Sequence, residues 1–100
     1  MNLNIRSKGI EINGDTEKLL YHKFSVLETF YDRIVGYDVL VGKIDTDGED
    51  KYELEGRVLI AKSSFFCKER ADSIEKVIDR VVENLTRQLK WKKEDRKEIW

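Results

Sequence analysis

The chain has 100 residues, 40% of them apolar, which is enough for one domain with a single small core and too little for two. Its one cysteine, Cys67, excludes an internal disulfide and fits a reducing compartment. The start has no signal-peptide pattern and no apolar run approaches a membrane span, so the expectation is a soluble cytoplasmic domain with no membrane partner. The net charge of −1 conceals two clusters, since Asp45, Asp47, Glu49 and Asp50 crowd one short segment while Arg87, Lys90, Lys92, Lys93, Arg96 and Lys97 crowd the tail, diluted by Glu94 and Asp95.

Asn2 to Ser7 alternates, with Leu3 and Ile5 on one side and Asn2, Asn4 and Arg6 on the other, as a strand with one buried face does. Lys8 and Gly9 interrupt it. Asn13 is a good helix cap, followed by Gly14 and the acidic first turn Asp15-Thr16-Glu17. The spacing of Leu20, Phe24, Leu27 and Tyr31 predicts a helix running to about Tyr31, with Asp32 to Gly36 as its exit.

Tyr37 to Asp45 is β-rich, but Tyr37, Val39 and Val41 alternate with Asp38, Leu40 and Gly42, and the pattern does not single out the buried face. Thr46 to Asp50 holds an Asp-Gly turn signal between two strand-like runs and predicts a hairpin loop. Lys51 to Ala61 alternates again, Tyr52, Leu54, Gly56, Val58 and Ile60 against Glu53, Glu55, Arg57 and Leu59. Lys62 to Ser64 reads as a second turn and Phe65 to Arg70 as a short strand, with Phe65 and Cys67 opposite Phe66. From Ser73 to about Lys93, Ile74, Ile78, Val81, Val82, Leu85 and Leu89 recur at helical steps without Gly or Pro. Asp72 or Ser73 can cap that helix, and its far end is basic, where cations suit the helix C-terminus and could hold phosphate.

The order is strand, helix, three hairpin-linked strands, helix: an α+β chain whose sheet has one face to cover and two amphipathic helices to cover it. Residues 1–93 are expected to form the domain and 94–100 a charged tail.

Three segments resemble the bacterial ribosome hibernation-promoting factors, a family that includes the ribosome-associated inhibitor A and the sigma-54 modulation protein. They are Met1 to Ile5, Lys23 to Ile34, and Val77 to Lys90, the last closing on Arg87-Gln88-Leu89-Lys90 followed by alternating lysines. The resemblance is collinear over essentially the whole chain. It implies a β-α-β-β-β-α fold, similar to double-stranded RNA-binding domains, with both helices on one face of a four-stranded sheet. It implies a function in silencing idle ribosomes under stress and in stationary phase: binding the small ribosomal subunit and its rRNA in the channel used by mRNA and tRNA, by steric occlusion, with no cofactor and no DNA. The length is similar to the family's short form, without the extra domain that long forms use to pair ribosomes. Ribosome dimers formed with a helper factor stay open.

Carried over residue by residue, Lys23 matches a basic position of the family's first helix, and Arg87 the arginine of its Arg-Gln-Leu motif. Lys90, Lys92 and Lys93 match its basic end, and Arg33 and Arg80 lie near these. Cations at fixed positions on a rigid domain suit structured RNA, which is bound largely through shape and backbone. The chain departs from the pattern at Val26 and Asn84, where many relatives carry lysine, and at Glu75-Lys76-Val77-Ile78-Asp79, where many have a Tyr-Ala-Ala-Ile-Asp run.

No enzyme or metal site is expected. His22 has no second ligand at metal spacing, Cys67 reads as a small buried hydrophobe, and the 45–50 loop lacks the terminal glutamate of an EF-hand. Two rival readings are a protein-interaction module using the acidic hairpin with Trp91 and Trp100, and a general double-stranded RNA binder. The feature that separates them is whether Lys23, Arg80, Arg87 and Lys90 share one surface unbroken by acids such as Glu83.

Overall fold

The computed structural model describes the backbone of residues 1–98 and the side chains of residues 1–92. Strands β1 (Leu3–Lys8), β2 (Ile34–Lys43), β3 (Tyr52–Ile60) and β4 (Ser63–Ala71) form one sheet in the order β1-β2-β3-β4. Helix α1 (Gly14–Ser25) links β1 to β2, and α2 (Ile74–Glu98) follows β4. β1 and β2 are parallel, as a helical crossover requires, and the hairpin-linked pairs are antiparallel. The β-α-β-β-β-α order and the mixed four-stranded sheet agree with the expectation from the sequence.

Register fixes the faces. Leu3 lies beside Tyr37, Tyr37 beside Val58 and Val58 beside Phe65, so odd positions of β1, of β2 from Tyr37 onwards and of β4, and even positions of β3, point to the helices. Tyr37, Val39 and Val41 are therefore the buried set of β2, which the alternation alone left open. Leu20, Phe24 and Leu27 of the first helical segment bury against this layer, and the Phe24 ring meets that of Tyr37 edge-on at 5.7 Å. From α2, Ile78, Val81, Leu85 and Leu89 are buried as their spacing predicts, and Val77 joins them.

Both helices close over Gly56. A Cβ there would lie 2.7 Å from Val81 Cγ1, 3.3 Å from Leu85 Cδ1 and 3.5 Å from Phe24 Cζ. The missing side chain lets α1 and α2 sit together on the middle of the sheet.

Apart from shifts of one or two residues at other strand ends, four boundaries differ from the sequence reading. The α-helix ends at Ser25 instead of near Tyr31, and Val26–Thr29 form a 3-10 turn. Ser25 and Thr29 donate their hydroxyls to the carbonyls of His22 and Val26, both at 2.7 Å, a local competition that favours the tighter turn. β2 begins at Ile34, three residues early, because the irregularity at Gly36 is a bulge within the strand rather than a break before it. β4 begins at Ser63, since Ile60 pairs with Ser63 across a two-residue turn whose Lys62 takes a left-handed φ of 69°. Finally, α2 extends past Lys93 to Glu98. The caps agree with the sequence: Asn13 accepts from the Thr16 amide at 2.8 Å, and Ser73, rather than Asp72, accepts from the Lys76 amide at 3.2 Å.

Candidate nucleic-acid interface

The topology puts the acidic hairpin and the basic half of α2 at opposite ends of the sheet, with Lys8, Lys43, Lys51, Arg70 and Lys76 on the hairpin side. The β2–β3 hairpin, with Asp45, Asp47, Glu49 and Asp50, closes one end of the sheet, where Thr46 Oγ1 donates to the Asp50 carbonyl at 3.0 Å. β4 finishes at that same end and α2 starts there, so α2 must run towards the opposite one. At the opposite end lie the turn holding Arg33, the β3–β4 turn with Lys62, and the C-terminal half of α2 with Arg87, Lys90 and Lys92. Lys90 Nζ sits 4.7 Å from the centre of the Phe30 ring, a cation–π contact that docks this half of α2 against the segment leading to Arg33.

The remaining cations expected at the site lie elsewhere. Lys23, on α1, forms an ion pair with Asp79 Oδ1 on α2 at 2.9 Å. The hydrogen bond to Asp79, reinforced by its charge, raises the Lys23 pKa. Arg80, on the other flank of α2, donates to the Arg70 carbonyl on the edge of β4. Arg87 pairs with Glu83 one turn earlier at 3.2 Å. Asp79, Glu83, Arg87 and Lys90 follow one another at helical steps along a single exposed ridge, acidic in its first half and basic in its second. Lys23, Arg80, Arg87 and Lys90 thus do not make an unbroken cationic surface. Arg33, Arg87 and Lys90 gather at one end, Lys92 continues from them half-buried, and the side chain of Lys93 lies outside the described residues, as does Trp100.

Two of the departures noted above, Val26 and Asn84, sit in contrasting surroundings. Val26 is 42% exposed at the start of the 3-10 turn, with no charge to offer. Asn84 turns towards the sheet and donates to Glu69 Oε2 at 3.2 Å, while Gln88 donates to Asn84 Oδ1 at 2.8 Å and to the Phe66 carbonyl at 3.0 Å. Position 84 is committed to holding α2 on β4.

Sequence reasoning missed Asp79 as the partner of Lys23 and Phe30 as the seat of Lys90, because both contacts join elements distant in the chain. It also missed the open sheet face, where Arg57 stacks 4.9 Å from the centre of the Phe66 ring. The Glu83–Arg87 pair was readable from its spacing. Cys67 is buried, and burial pushes its thiol up to about 11, which suits a packing residue better than a nucleophile. Among the described residues, no group of His, Cys, Asp and Glu is arranged to hold a metal, and no helix is long and apolar enough to cross a membrane.

A mixed four-stranded sheet carrying two helices on one face, with the second helix leading to a cationic end, defines the class of small α+β domains to which ribosomal interface proteins belong. The chain belongs to the family described as sigma 54 modulation protein / S30EA ribosomal protein, whose model matches residues 3–97. Its fold is similar to that of a ribosomal subunit interface protein from Coxiella burnetii, with a TM-score of 0.80 and 18% identity over 93% of this chain and 98% of that one. It is similar, too, to the Protein Y N-terminal domain of Thermus thermophilus, with a TM-score of 0.79 and 21% identity over 90% and 97% of the two chains. No curated protein matches the sequence.

Proposed function

We propose that this chain is a ribosome-binding translation inhibitor that sits in the mRNA and tRNA channel of the small subunit. On this reading the end carrying Arg33, Arg87, Lys90, Lys92 and Lys93 faces rRNA, and Lys23 and Arg80 contribute from the flanks. Family membership supports the reading, as does the likeness of the fold to a ribosomal subunit interface protein and to a Protein Y N-terminal domain. The single observation that carries the RNA contact is the placement of one group of cations. Arg33, Lys62, Arg87, Lys90 and Lys92 lie towards the end of the sheet opposite the acidic 45–50 hairpin, although Lys8, Lys43, Lys51, Arg70 and Lys76 lie towards the hairpin end. Inhibition is then steric, since a rigid domain in the channel excludes mRNA and tRNA without chemistry.

Co-sedimentation with purified ribosomes at low and moderate salt tests the reading, with Arg87→Glu beside the native chain and with excess mRNA and tRNA as competitors. Binding that persists at moderate salt, is displaced by the competitors and is weakened in the variant is the expected result. Sedimentation that ignores the competitors removes the channel from the proposal.

A second reading, a protein-interaction module, draws on one observation. Trp91 is 73% exposed on α2 beside a ridge whose Asp79 and Glu83 already neutralise Lys23 and Arg87. Absence of sedimentation at either salt favours it.

A further inference from the structure

The two edges of the sheet have different neighbours. Along β4, the Phe66 and Arg70 carbonyls that point outward accept hydrogen bonds from Gln88 and Arg80 of α2, so side chains of α2 reach over part of this edge. β1 is the other edge. Its even positions bond to β2, as the Asn2 carbonyl does to the Tyr37 amide at 2.8 Å, so the N–H and C=O groups of Leu3, Ile5 and Ser7 point away from the sheet. Among the described residues only one contact caps them, a long 3.5 Å bond from the Tyr21 hydroxyl to the Leu3 carbonyl. The Ile5 and Ser7 backbone groups are left as a template for another strand.

Beside this edge, on the helix side, lies a groove of about 540 Å³. Leu3 and Ile5 form its floor, Ile10, Ile12 and Tyr21 its apolar wall, and Glu11 and Glu17 supply its charge. No lysine or arginine lines it, and among the described residues neither carboxylate is ion-paired. On the opposite face of the same strand stand Arg6 and Lys8, both exposed.

We propose that β1 accepts an extended segment of another protein as a fifth strand, with apolar and basic side chains entering the groove and acidic or polar ones facing Arg6 and Lys8. Alternation makes the two requirements compatible, because successive residues of the added strand meet opposite faces of the sheet. Main-chain bonds to Ile5 and Ser7 hold the segment. The apolar wall and the two glutamates select its sequence. Charge argues against a second copy of this chain as the occupant. A copied β1 would bring only Leu3, Ile5 and Ser7 to the groove face, leaving Glu11 and Glu17 without cations, and would stack its own Arg6 and Lys8 beside the first pair. The site is remote from the cationic end in its chemistry and does not depend on ribosome binding.

The test uses the full chain and a blocked synthetic peptide of about eight residues, a common strand length, in which valine, isoleucine and two lysines alternate with threonine and glutamate. Amide NMR shifts confined to Leu3–Lys8 and to residues 10–21 are expected, with amide exchange at Ile5 and Ser7 slowed at least about tenfold. Ser7→Pro removes an outward N–H without touching the β1–β2 ladder and should abolish binding, its fold being checked by circular dichroism. Glu17→Lys, on the exposed surface of α1, should weaken binding while leaving the strand intact, and a peptide with both lysines changed to glutamate should not bind. Absence of shifts at about 1 mM peptide overturns the proposal. So do shifts centred on Phe66 or on α2, or binding retained by the proline variant. Protection of Ile5 and Ser7 that appears without peptide, rises with protein concentration and accompanies a dimer in sedimentation gives the edge to a second copy and overturns it as well.

Discussion

Lys23 Nζ and Asp79 Oδ1 meet at 2.9 Å across the seam between α1 and α2. The pair neutralises one of the cations proposed to face RNA and ties together the two helices that cover the sheet. Asp79→Asn keeps the side-chain shape and frees Lys23. If Lys23 lies against phosphate in the bound state, the variant should bind ribosomes more tightly at low salt. Its log-affinity should also fall more steeply with log salt, by about one unit of slope for one added phosphate contact. Titration of labelled protein against ribosomes over a salt series reads both quantities. An unchanged slope removes Lys23 from the interface.

Gly56 is the point where the helices and the sheet come closest. Gly56→Ala puts a methyl group 2.7 Å from Val81 Cγ1, and the neighbouring Leu85 and Phe24 contacts leave little room for Val81 to retreat. Overpacking of this kind costs about 1–3 kcal/mol. In a domain of this size that lowers Tm by roughly 4–8 °C per kcal/mol, so thermal melting should show a clear drop with the fold retained below it. A melting temperature at or above that of the native chain would mean that α2 shifts freely on the sheet.

Gly56 also marks how far the sequence could be read. The alternation of β3 and the helical stripe from Ile74 to Leu89 are local periodicities, and both the faces and the element types followed from them. What depended on contacts between elements did not. The face of β2 was decided by pairing to β1 and β3, since Leu40 and Val39 are equally apolar in isolation. The end of α1 was decided by hydroxyls bonding back to carbonyls at Ser25 and Thr29. At the candidate site, the acid and base on one helix could be paired by spacing, as with Glu83 and Arg87. Lys23 with Asp79 and Lys90 with Phe30 required the fold.

Glu53 sits on the open face of the sheet between two cations, 2.8 Å from Arg70 Nε and 3.4 Å from Lys68 Nζ. Burial works to raise its carboxyl pKa, but the Arg70 hydrogen bond and the Lys68 charge outweigh burial and hold it below the usual range. A carboxyl depressed in the folded state contributes stability above the unfolded value, about 4.3 for glutamate, and loses it as pH falls through the lower folded value. Glu53→Gln should therefore be less stable than the native chain at neutral pH and lose less on acidification. Urea unfolding at neutral pH and at several acidic values measures the difference. Parallel curves for the two proteins would exclude Glu53 from the acid limb.

Lys62 occupies the left-handed region at φ 69° in the β3–β4 turn, a conformation that costs a side-chain-bearing residue about 1–2 kcal/mol and that glycine adopts freely. Glycine at this position also loosens the unfolded chain, which takes back part of the gain, so Lys62→Gly should stabilise by about 0.5–1 kcal/mol. The same change removes a cation from the end of the sheet that holds Arg33 and Lys90. If that end meets rRNA, the variant should be more stable yet bind ribosomes more weakly, with a shallower salt dependence. Melting and salt-dependent co-sedimentation of one variant then separate the two roles. Greater stability with unchanged binding would place Lys62 outside any RNA contact. A loss of both would mean that the lysine side chain itself holds the turn.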